Sequence, residues 1–501
     1  MSSTSLLLTM PLEVLLSISY YLTTTDYCNL RQSCTHIEAS LHSSFAKEYF
    51  SKRQFILTEF SLQALVDISR SKFSPYLTHI IFAAERPVWG RPHSAADSTA
   101  EATRRLRMRQ QYSNHINLTS FSQDLEMLAE AFSNLPNLET IGMRDFNSRT
   151  RFRDHLSGLE WRSYGANTYQ RDTGLALARP SSPGPFGSAP LYLDNNWPLY
   201  EARLFIGLLQ ALGKSGSHPK RFEVILRTIG LYDMAFNLPR FSGSIIDPVL
   251  ARLDTLFLDL SEDQNSAMTR SGPDQAPSNC TNYFLRGFLS KLPALSSLRL
   301  NFAMSDHRKT CDFLSWLASP LPLPGSVQGA NNDDDGGDYA GLSPPPPVAF
   351  SSLKQLDLGK ASISIDVLIC LVNKFQPSLQ GLSFYKVTLL KGAEVPDSSA
   401  KVNLWTKALR HLIKSSMALK SLRVDTVYQD HAHQTLHIQF KDTTRPRSRT
   451  LSWWRGQDKE NGLKDMANNM VIDWPESDDE SMDDEDSVDE LDDDDDEDED
   501  E

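Results

Sequence analysis

The stretch LKQLDLGKASISIDVLICLVNKFQPSLQGLSF, residues 353–384, contains one complete unit of the pattern that decides the fold. It begins with three leucines in the order apolar-x-x-apolar-x-apolar: Leu353, Leu356 and Leu358. The last pair is spaced by two, as a short strand with one buried face requires. Apolar residues at helical spacing follow from Leu368 to Phe375, and Pro377 marks the point where a helix cannot continue. The stretch therefore predicts a strand, a helix and a second strand.

The strand pattern recurs along most of the chain. Six further copies start at apolar residues: Leu77, Leu138, Leu253, Leu295, Leu379 and Leu419. Residues 222–226 (FEVIL) alternate in the same way without the full pattern. Helical spacing precedes most copies, and one helix with one strand cannot bury its apolar faces alone. Stacking about eight such units predicts an α/β solenoid with strands on one side and helices on the other.

This layout resembles the leucine-rich-repeat class in an irregular form. Successive copies from Leu253 onward are separated by 42, 58, 26 and 40 residues, so that one interval matches the usual repeat length of ~20–29 residues. The Asn or Cys that usually follows the strand is mostly absent. The alternative is an ordinary α/β domain whose strands are rich in leucine.

Composition excludes several classes of protein. Hydrophobic residues make up 40% of the 501 and charged residues 23%, enough for a sizeable core, and the mean hydropathy is −0.37. No apolar run approaches the ~20 residues of a membrane span, and the start, MSSTSLLLTM, lacks the basic region of a secretory signal. The five cysteines are scattered and form no CxxC pair, which indicates a reducing compartment. We expect a protein of the cytoplasm, the nucleus or both, with no membrane partner.

Charge divides the chain in two. Residues 476–501 contain 20 Asp and Glu in 26 positions, and the other 44 acidic residues face 50 basic ones, a balance of +6. A block of like charges repels itself and buries no apolar surface, so a disordered acidic C-terminal tail is expected. Segments rich in Pro, Gly, Ser and Asp predict disordered insertions near residues 165–195, 261–279 and 319–349. The expected domains are three helices over 7–50, the solenoid over 51–440, a cap or linker over 441–475, and the tail over 476–501.

The most specific signal lies in residues 8–45, LTMPLEVLLSISYYLTTTDYCNLRQSCTHIEASLHSSF. Pro11 suits the first turn of a helix, and Glu13 lies near the positive helix end. Apolar residues at helical spacing predict three short helices, the second of which starts near Asp26. The first helix is apolar over more than one stripe, which is more than a small core of its own needs. Part of that surface is therefore expected to contact another protein.

This segment resembles an F-box. The family pattern runs Leu-Pro-x-Glu-Ile-Leu, then Ile, Tyr-Leu, Asp-Leu, Leu, Cys and a closing Phe. The matching positions here are Met10, Pro11, Leu12, Glu13, Val14, Leu15, Ile18, Tyr21, Leu22, Asp26, Tyr27, Leu30, Cys34 and Phe45. Met10, Val14 and Tyr27 depart from the pattern but keep an apolar body, and only Tyr27 adds bulk. Similarity to F-box proteins of filamentous fungi continues to Phe82.

The resemblance implies a chain without catalysis of its own. F-box domains dock on the Skp adaptor, which joins a cullin scaffold carrying a RING subunit and a ubiquitin-conjugating enzyme, while downstream repeats hold an as yet unknown protein substrate. Ubiquitin transfer is then promoted by proximity. The residues expected to face the adaptor are Met10, Pro11, Leu12, Val14, Leu15, Ile18, Leu22, Leu30 and Cys34. Pro11 and Leu12 are the strongest candidates because they lie at the helix start. The alternative role, packing the three helices together, applies to Leu15, Ile18, Leu30 and Cys34.

Two other functions stay open at this point. One is an F-box scaffold that binds the adaptor but recruits no substrate for degradation, and the other is an acidic-tailed protein that binds basic partners. The open face of the strands is expected to present residues between the apolar positions: Glu139, Thr140, Asp254, Thr255, Ser296, Ser297, Lys354 and Gln355. No Arg cluster that would mark a phosphate pocket is expected on those strands.

Two candidate ligand sites are better explained as structure. Residues 207–215 imitate a phosphate loop, but five residues separate the glycines where four are needed, so Gly213 is interpreted as a helix C-cap with Lys214 at the negative helix end. Three histidines lie around a final strand predicted over 435–440: His431, His433 and His437. They could bind zinc with Asp430, but a solvated strand edge is favoured.

Two further motifs complete the scan. The basic run of Arg104, Arg105, Arg107 and Arg109 is interpreted as an exposed helix face, since no aromatic residues alternate with it, and no nucleic-acid partner is expected. Residues 453–455 (Trp-Trp-Arg) are interpreted as a cap on the last repeat. No catalytic residue, cofactor or metal is predicted.

Overall fold

The structure is a computed structural model of the 501-residue chain. It describes residues 6–87, 99–147, 153, 161–179, 197–261, 282–302, 307–321, 345–392, 401–432, 434–441 and 449–475. The architecture is α/β, as predicted, and most neighbouring strands are parallel. No helix in these ranges is long and apolar enough to cross a membrane. The tail, 476–501, and most of the insertions predicted over 261–279 and 319–349 lie outside the described residues.

Three helices open the chain, where three were predicted: α1 Leu12–Tyr20, α2 Thr24–Gln32 and α3 Thr35–Phe50. Local capping explains their boundaries. The Thr23 hydroxyl accepts a hydrogen bond from the Asp26 amide at the start of α2. The Cys34 Sγ accepts one from the Ile37 amide, 3.5 Å away, at the start of α3. Pro11 precedes α1, and its carbonyl accepts hydrogen bonds from the Val14 and Leu15 amides.

Within the described ranges, ten strands form one sheet whose order follows the chain. Numbered in chain order over both sheets, they are β1 Lys52–Phe55, β2 His79–Ala83, β3 Thr140–Arg144, β4 Arg221–Ile225, β5 Thr255–Asp259, β6 Ser297–Asn301, β7 Gln355–Gly359, β9 Gly381–Tyr385, β11 Ser421–Asp425 and β14 Leu451–Arg455. Each pairs with its predecessor in parallel, except that β14 is antiparallel to β11. Every strand predicted from the apolar pattern is present, and β1 was not predicted.

The register of this sheet explains the leucine pattern. Leucines at the second strand position lie side by side on five consecutive strands: Leu256, Leu298, Leu356, Leu382 and Leu422. All five are at most 2% exposed. Because strand side chains alternate between the two faces of the sheet, one face of the sheet carries this buried row, and the residues between the leucines lie on the opposite face. The buried face belongs to one continuous core that includes the apolar residues of the helices.

Eleven described helices follow the first three. They are α4 Glu59–Ser69, α5 Thr99–Ser120, α6 Gln123–Ser133, α7 Ala166–Thr173, α8 Trp197–Ser215, α9 Gly243–Leu250, α10 Tyr283–Leu289, α11 His307–Ala318, α12 Ile365–Phe375, α13 Leu404–Lys414 and α14 Lys459–Asn468. The four arginines of the basic run lie on α5, where the residues from Arg104 to Arg109 are mainly exposed, as an exposed helix face predicts.

A second sheet of five short strands was largely missed. In spatial order it contains β15 Met470–Ile472, β13 Gln434–Phe440, β12 Tyr428–His431, β10 Thr388–Leu390 and β8 Ser362–Ser364. The chain turns from the first sheet into the second at three residues with positive φ: Lys360 (51°), Lys386 (52°) and Thr426 (53°). Each repeat at this end of the molecule therefore supplies two strands rather than one.

Three structural predictions need correction. The insertion predicted near 165–195 begins with helix α7, and Ala178 forms a bridge with Arg86, because Tyr169 and Ala166 are buried. Within 319–349, Val348 is buried in the core. Gly213 is not a C-cap: it lies inside α8, where its surface touches the Ile245 backbone, and Gly216 is the residue with positive φ past the helix end.

The histidines near the end of the chain do not lie at a solvated edge. Strand β13 has neighbours on both sides, and His431 is buried against the Trp474 ring, 4.9 Å between centroids. His437 packs against Tyr428, 5.0 Å between centroids. His433 is outside the described residues, and within those residues no group of three or more His, Cys, Asp or Glu could hold a metal.

A buried carboxyl on α8 makes stability depend on pH. Glu201 is 1% exposed, and neither carboxyl oxygen has a hydrogen-bond partner in the described ranges. Burial, with a smaller contribution from the Asp145 charge, raises the pKa of Glu201 from 4.5 to about 8. The folded chain thus keeps a proton that the unfolded chain releases above pH 4.5. Stability from this group is complete below pH 4.5 and is lost as the pH rises through about 8.

We therefore expect Glu201→Gln to be more stable than the parent chain at alkaline pH. Glutamine has no proton to lose, so the stability difference should grow by about 1.4 kcal/mol per pH unit between pH 6 and 8 and level off above that range. Urea unfolding at pH 6, 7, 8 and 9 measures this difference. A difference that stays constant with pH would contradict the assignment of a protonated Glu201.

Candidate docking surface and open sheet face

Helix α1 exposes an apolar face. Three aliphatic side chains on it are well exposed: Leu12 (45%), Val14 (42%) and Ile18 (37%). Pro11 is also exposed, and Tyr20 and Tyr21 extend the surface at the helix end. We call the surface of Pro11, Leu12, Val14, Ile18, Tyr20 and Tyr21 the α1 face. Val14 and Ile18, four residues apart, share one side of the helix, and Leu12 lies at its first turn on another side. Several exposed apolar residues on one short helix are typical of a site of protein contact.

The nine residues predicted to face the adaptor divide into three groups. Pro11, Leu12, Val14 and Ile18 are exposed on the α1 face. Met10, Leu22, Leu30 and Cys34 are half-buried and pack against the core of the three helices, where Cys34 also caps α3. Leu15 is 1% exposed and lies in that core, which agrees with the packing role named for it as the alternative.

The core of the three helices is small but separate. Its fully buried members are Leu15, Tyr27, Ile37, Leu41 and Tyr49. Tyr27, where the F-box pattern has Leu, is 0% exposed, and its ring meets Phe45 edge-on at 5.8 Å between centroids. The added bulk of Tyr27 is thus accommodated inside, among aromatic rings, and leaves the α1 face unchanged.

Arg153 joins the three N-terminal helices, the helical unit, to one another. Its guanidinium forms a bidentate pair with Glu48 on α3, with N–O distances of 2.5 and 2.9 Å. It also donates to the Ser19 and Leu22 carbonyls at the C-terminal end of α1, where the helix dipole is negative. The same group lies over the Tyr27 ring, 4.5 Å from its centroid. Burial opposes the charge, but Glu48 outweighs it and raises the pKa of Arg153 above its usual value.

We expect Arg153→Met to loosen the three helices without unfolding the main sheet. Only 4% of the Arg153 side chain is exposed, and losing one partner of a buried pair typically costs about 3 kcal/mol. Amide hydrogen exchange should accelerate in residues 12–50 and stay unchanged in β4 and β5. Arg171→Met is the matched control, because the Arg171 side chain is 75% exposed in its pair with Asp172. Equal exchange of α1 in both variants would contradict this role.

No linker separates the helical unit from the sheet. Helix α3 ends at Phe50 and β1 begins at Lys52, and the Phe50 ring stacks on Phe73 at 4.1 Å between centroids. The Ser51 carbonyl accepts hydrogen bonds from the Thr78 and His79 amides at 3.1 and 3.0 Å. The α1 face is therefore held in a fixed position relative to the first strands.

The open face of the main sheet differs in part from the predicted one. Four of the eight predicted residues form its first row, on consecutive or nearby strands: Thr140, Thr255, Ser297 and Gln355. Thr140 and Thr255 are buried, and Ser297 and Gln355 are half-buried. The other four, Glu139, Asp254, Ser296 and Lys354, precede the strands. The prediction missed the residues between the last two apolar positions: Phe257, Arg299, Asp357, Ser383 and Arg423. The period of two would have identified them, since each lies between two buried residues.

A basic cluster lies at the first end of this face, where none was expected. Lys52, His79, Arg144 and Arg221 come from four consecutive strands and surround one carboxylate, Glu223. Glu223 lies 3.7 Å from Arg144 and from Arg221, and 3.9 Å from His79. Burial and the neighbouring cations lower the pKa of His79 to about 3, so this imidazole is neutral. The parallel register brings these residues together over 170 residues of sequence, which no local pattern reveals.

The last strand covers the edge of the array, as the capping interpretation predicted. β14 pairs with β11 so that Trp454 is opposite Leu422 and Trp453 is opposite Arg423. Trp454 is half-buried against the core, and Trp453 is 67% exposed. The two tryptophans thus have different roles: one packs and one is presented to solvent.

Comparison with known proteins gives a distant likeness. No protein-family model and no curated protein matches the chain. Among solved structures, a chain in the crystal structure of the Rad7 and Elc1 complex in yeast is similar to this chain, at 12% sequence identity and a TM-score of 0.24. The similarity covers 82% of this chain and 86% of that chain.

Proposed function

We propose that this chain is a substrate-binding subunit of a Skp–cullin–F-box ubiquitin ligase, without catalysis of its own. The observation that carries the proposal is the α1 face: Leu12, Val14 and Ile18 are exposed while Leu15, one position away, fills the core. A small helical unit with this division uses some of its apolar residues to form a core and leaves others exposed for contact with a partner protein. The resemblance of residues 8–45 to an F-box names the Skp adaptor as its partner.

The size of the α1 face suits a stable complex. Burying a large aliphatic side chain contributes about 1.5–3 kcal/mol, and the face offers three of them together with Pro11 and two tyrosines. Binding must also offset the loss of translational and side-chain freedom. Because Arg153 and the Phe50–Phe73 stack hold α1 in place, little ordering of the helix itself is required.

The proposed mechanism depends on the direct connection between the three N-terminal helices and the strand array. In the proposed complex the adaptor leads to the cullin scaffold with its RING subunit and ubiquitin-conjugating enzyme, and the strand array, proposed as an irregular leucine-rich-repeat-like solenoid, holds a protein substrate. The direct connection between α3 and β1 supports this arrangement, because it would limit how far a bound substrate moves from the charged thioester. Ubiquitin transfer is then promoted by effective concentration. The proposal places the protein in the cytoplasm, the nucleus or both.

Recovery of the ligase from cells tests the proposal. The full chain and its Pro11→Ala/Leu12→Ala variant are expressed with an affinity tag, purified, and probed for the Skp adaptor, cullin and RING subunit. We expect all three with the parent chain and none with the variant, while proteins bound through the open face accumulate when cullin is inhibited. Adaptor recovered without cullin, or bound proteins whose turnover ignores cullin inhibition, would favour the non-degradative scaffold instead.

A further inference from the structure

Among the described residues, the outer edge of β14 is unpaired for most of its length. At the two ends of β14, the Thr450 carbonyl accepts a hydrogen bond from the Thr426 amide at 2.8 Å, and the Gly456 amide donates to the Lys420 carbonyl at 3.1 Å. Backbone groups of even-numbered residues therefore point at β11, and those of Leu451, Trp453 and Arg455 point away from it. On that outer side only Arg449 is paired, with Phe440, among the residues described.

Such an edge is a template for another strand. Proteins usually protect long edges with proline, inward-pointing charge or a covering element. The sequence of β14 is LSWWR, which has no proline, and in the described structure the sheet ends at this strand. An extended peptide can add here through the same backbone hydrogen bonds that join strands within the sheet.

The side chains next to this edge favour particular partners. Leu451 and Trp453 are 38% and 67% exposed, and both lie on the open face with Arg455. Trp453 ends a row across four strands that contains Asp357, Ser383 and Arg423. This row lies in a cleft of about 510 Å³. Exposed tryptophan and arginine beside a cleft are the residue types that dominate binding energy at protein interfaces.

The positive charge of Arg455 favours an acidic residue at one position of an extended peptide bound along β14. Arg423 is paired with Asp425 at 2.7 Å, whereas no described residue forms an ion pair with Arg455, which is exposed. Burial raises the pKa of the Asp357 carboxyl in the same row.

We propose that an extended segment of a partner protein adds to the β14 edge as an eleventh strand. Cross-strand neighbours then set its sequence: an acidic residue beside Arg455, an apolar or aromatic residue beside Trp453, and an apolar residue beside Leu451. For a peptide that pairs antiparallel to β14, alternation makes this an acidic-x-apolar-x-apolar pattern read from its N-terminus. The inference rests on the proposed function in one respect, that the partner is the substrate of the ligase.

Selection from a random ten-residue peptide display library tests the proposal. The full chain is the bait, and the Trp453→Ala chain removes peptides that bind elsewhere. We expect enrichment of acidic-x-apolar-x-apolar peptides whose affinity falls at least ~30-fold in Trp453→Ala and in Leu451→Pro, which deletes one outward amide. Phe241→Ala is the matched control, because this 85% exposed aromatic lies far along the chain on a turn before α9, and it should leave binding unchanged.

Other outcomes would overturn the proposal. Peptides that bind the parent chain and Trp453→Ala with equal affinity would contradict the proposed site, and so would the absence of any enriched peptide. Binding seen only after deletion of residues 476–501 would assign the edge to the chain's own acidic tail, and dimers that dissociate in Trp453→Ala would assign it to a second copy. Adaptor binding is measured on the same variants: a chain that binds adaptor but no peptide contradicts this inference alone, and one that binds peptide but no adaptor contradicts the proposed function alone.

Discussion

The Pro11→Ala/Leu12→Ala variant is expected to lose about 100-fold or more in affinity for the Skp adaptor while remaining folded. Leu12 is 45% exposed and Pro11 lies before the first turn of α1, so truncating both removes contact surface and no core. Losing two apolar contacts of this size corresponds to about 3 kcal/mol, which is roughly 100-fold. Surface-immobilised adaptor titrated with the purified chain measures the loss.

Two controls separate contact from folding in that experiment. Phe121→Ala removes an 81% exposed aromatic outside the helical unit and should bind the adaptor like the parent chain. Leu15→Ala empties the core of the helical unit, so it should lower both helix stability and adaptor binding. If the double variant bound adaptor like the parent chain, the α1 face would not be the docking surface.

Phe205→Ala is expected to lower the free energy of unfolding by about 3–5 kcal/mol. Phe205 on α8 is 0% exposed, and its ring centroid lies 5.4 Å from those of Phe222 and Phe236 and 5.7 Å from that of Phe288. Truncation leaves a cavity between helix and sheet that rigid neighbouring rings cannot fill. Guanidinium unfolding followed by circular dichroism measures the change. A loss below about 1 kcal/mol, as expected for the exposed Phe241→Ala, would contradict this packing.

The main sheet could be predicted from sequence because most of its strands carry their own signal. A pair of apolar residues spaced by two, preceded by a third, occurs at seven strands, from Leu77 to Leu419, while β4 shows only the alternation and β1 has no such pattern. The second sheet carried no such signal. Its strands β8 and β10 are three residues long, and they depend on the turns at Lys360 and Lys386 and on parallel pairing with each other.

The sequence predicts that the docking surface lies on a helix, but it does not predict which side of that helix is exposed. Residues 12–18 are apolar on more than one side, so periodicity places Leu12 and Leu15 on a helix without saying which one is covered. The packing of α2 and α3 decides this by burying Leu15 against Tyr27 and Ile37. The pair of Arg153 with Glu48 spans 105 residues, and a contact at that separation leaves no local pattern.

The open face was predicted in part for a similar reason. Choosing the residues before each strand's second apolar position identified Thr255 and Gln355 but missed Asp357 and Arg423. The basic cluster around Glu223 depends on strand order and register, which are properties of the assembled sheet. Strand β14 reverses direction at the end of the array, and that reversal produces the open edge proposed to bind a peptide.

Direct titration of the purified full chain with purified Skp adaptor, by calorimetry at several temperatures, tests the central claim most directly. The account predicts a one-to-one complex with a dissociation constant below about 1 μM and a negative heat-capacity change, because an apolar helix face leaves water on binding. Saturable binding with that heat-capacity change by the parent chain, together with loss of binding in the Pro11→Ala/Leu12→Ala variant, would establish α1 as the docking element. No saturable binding by the folded parent chain would contradict the account.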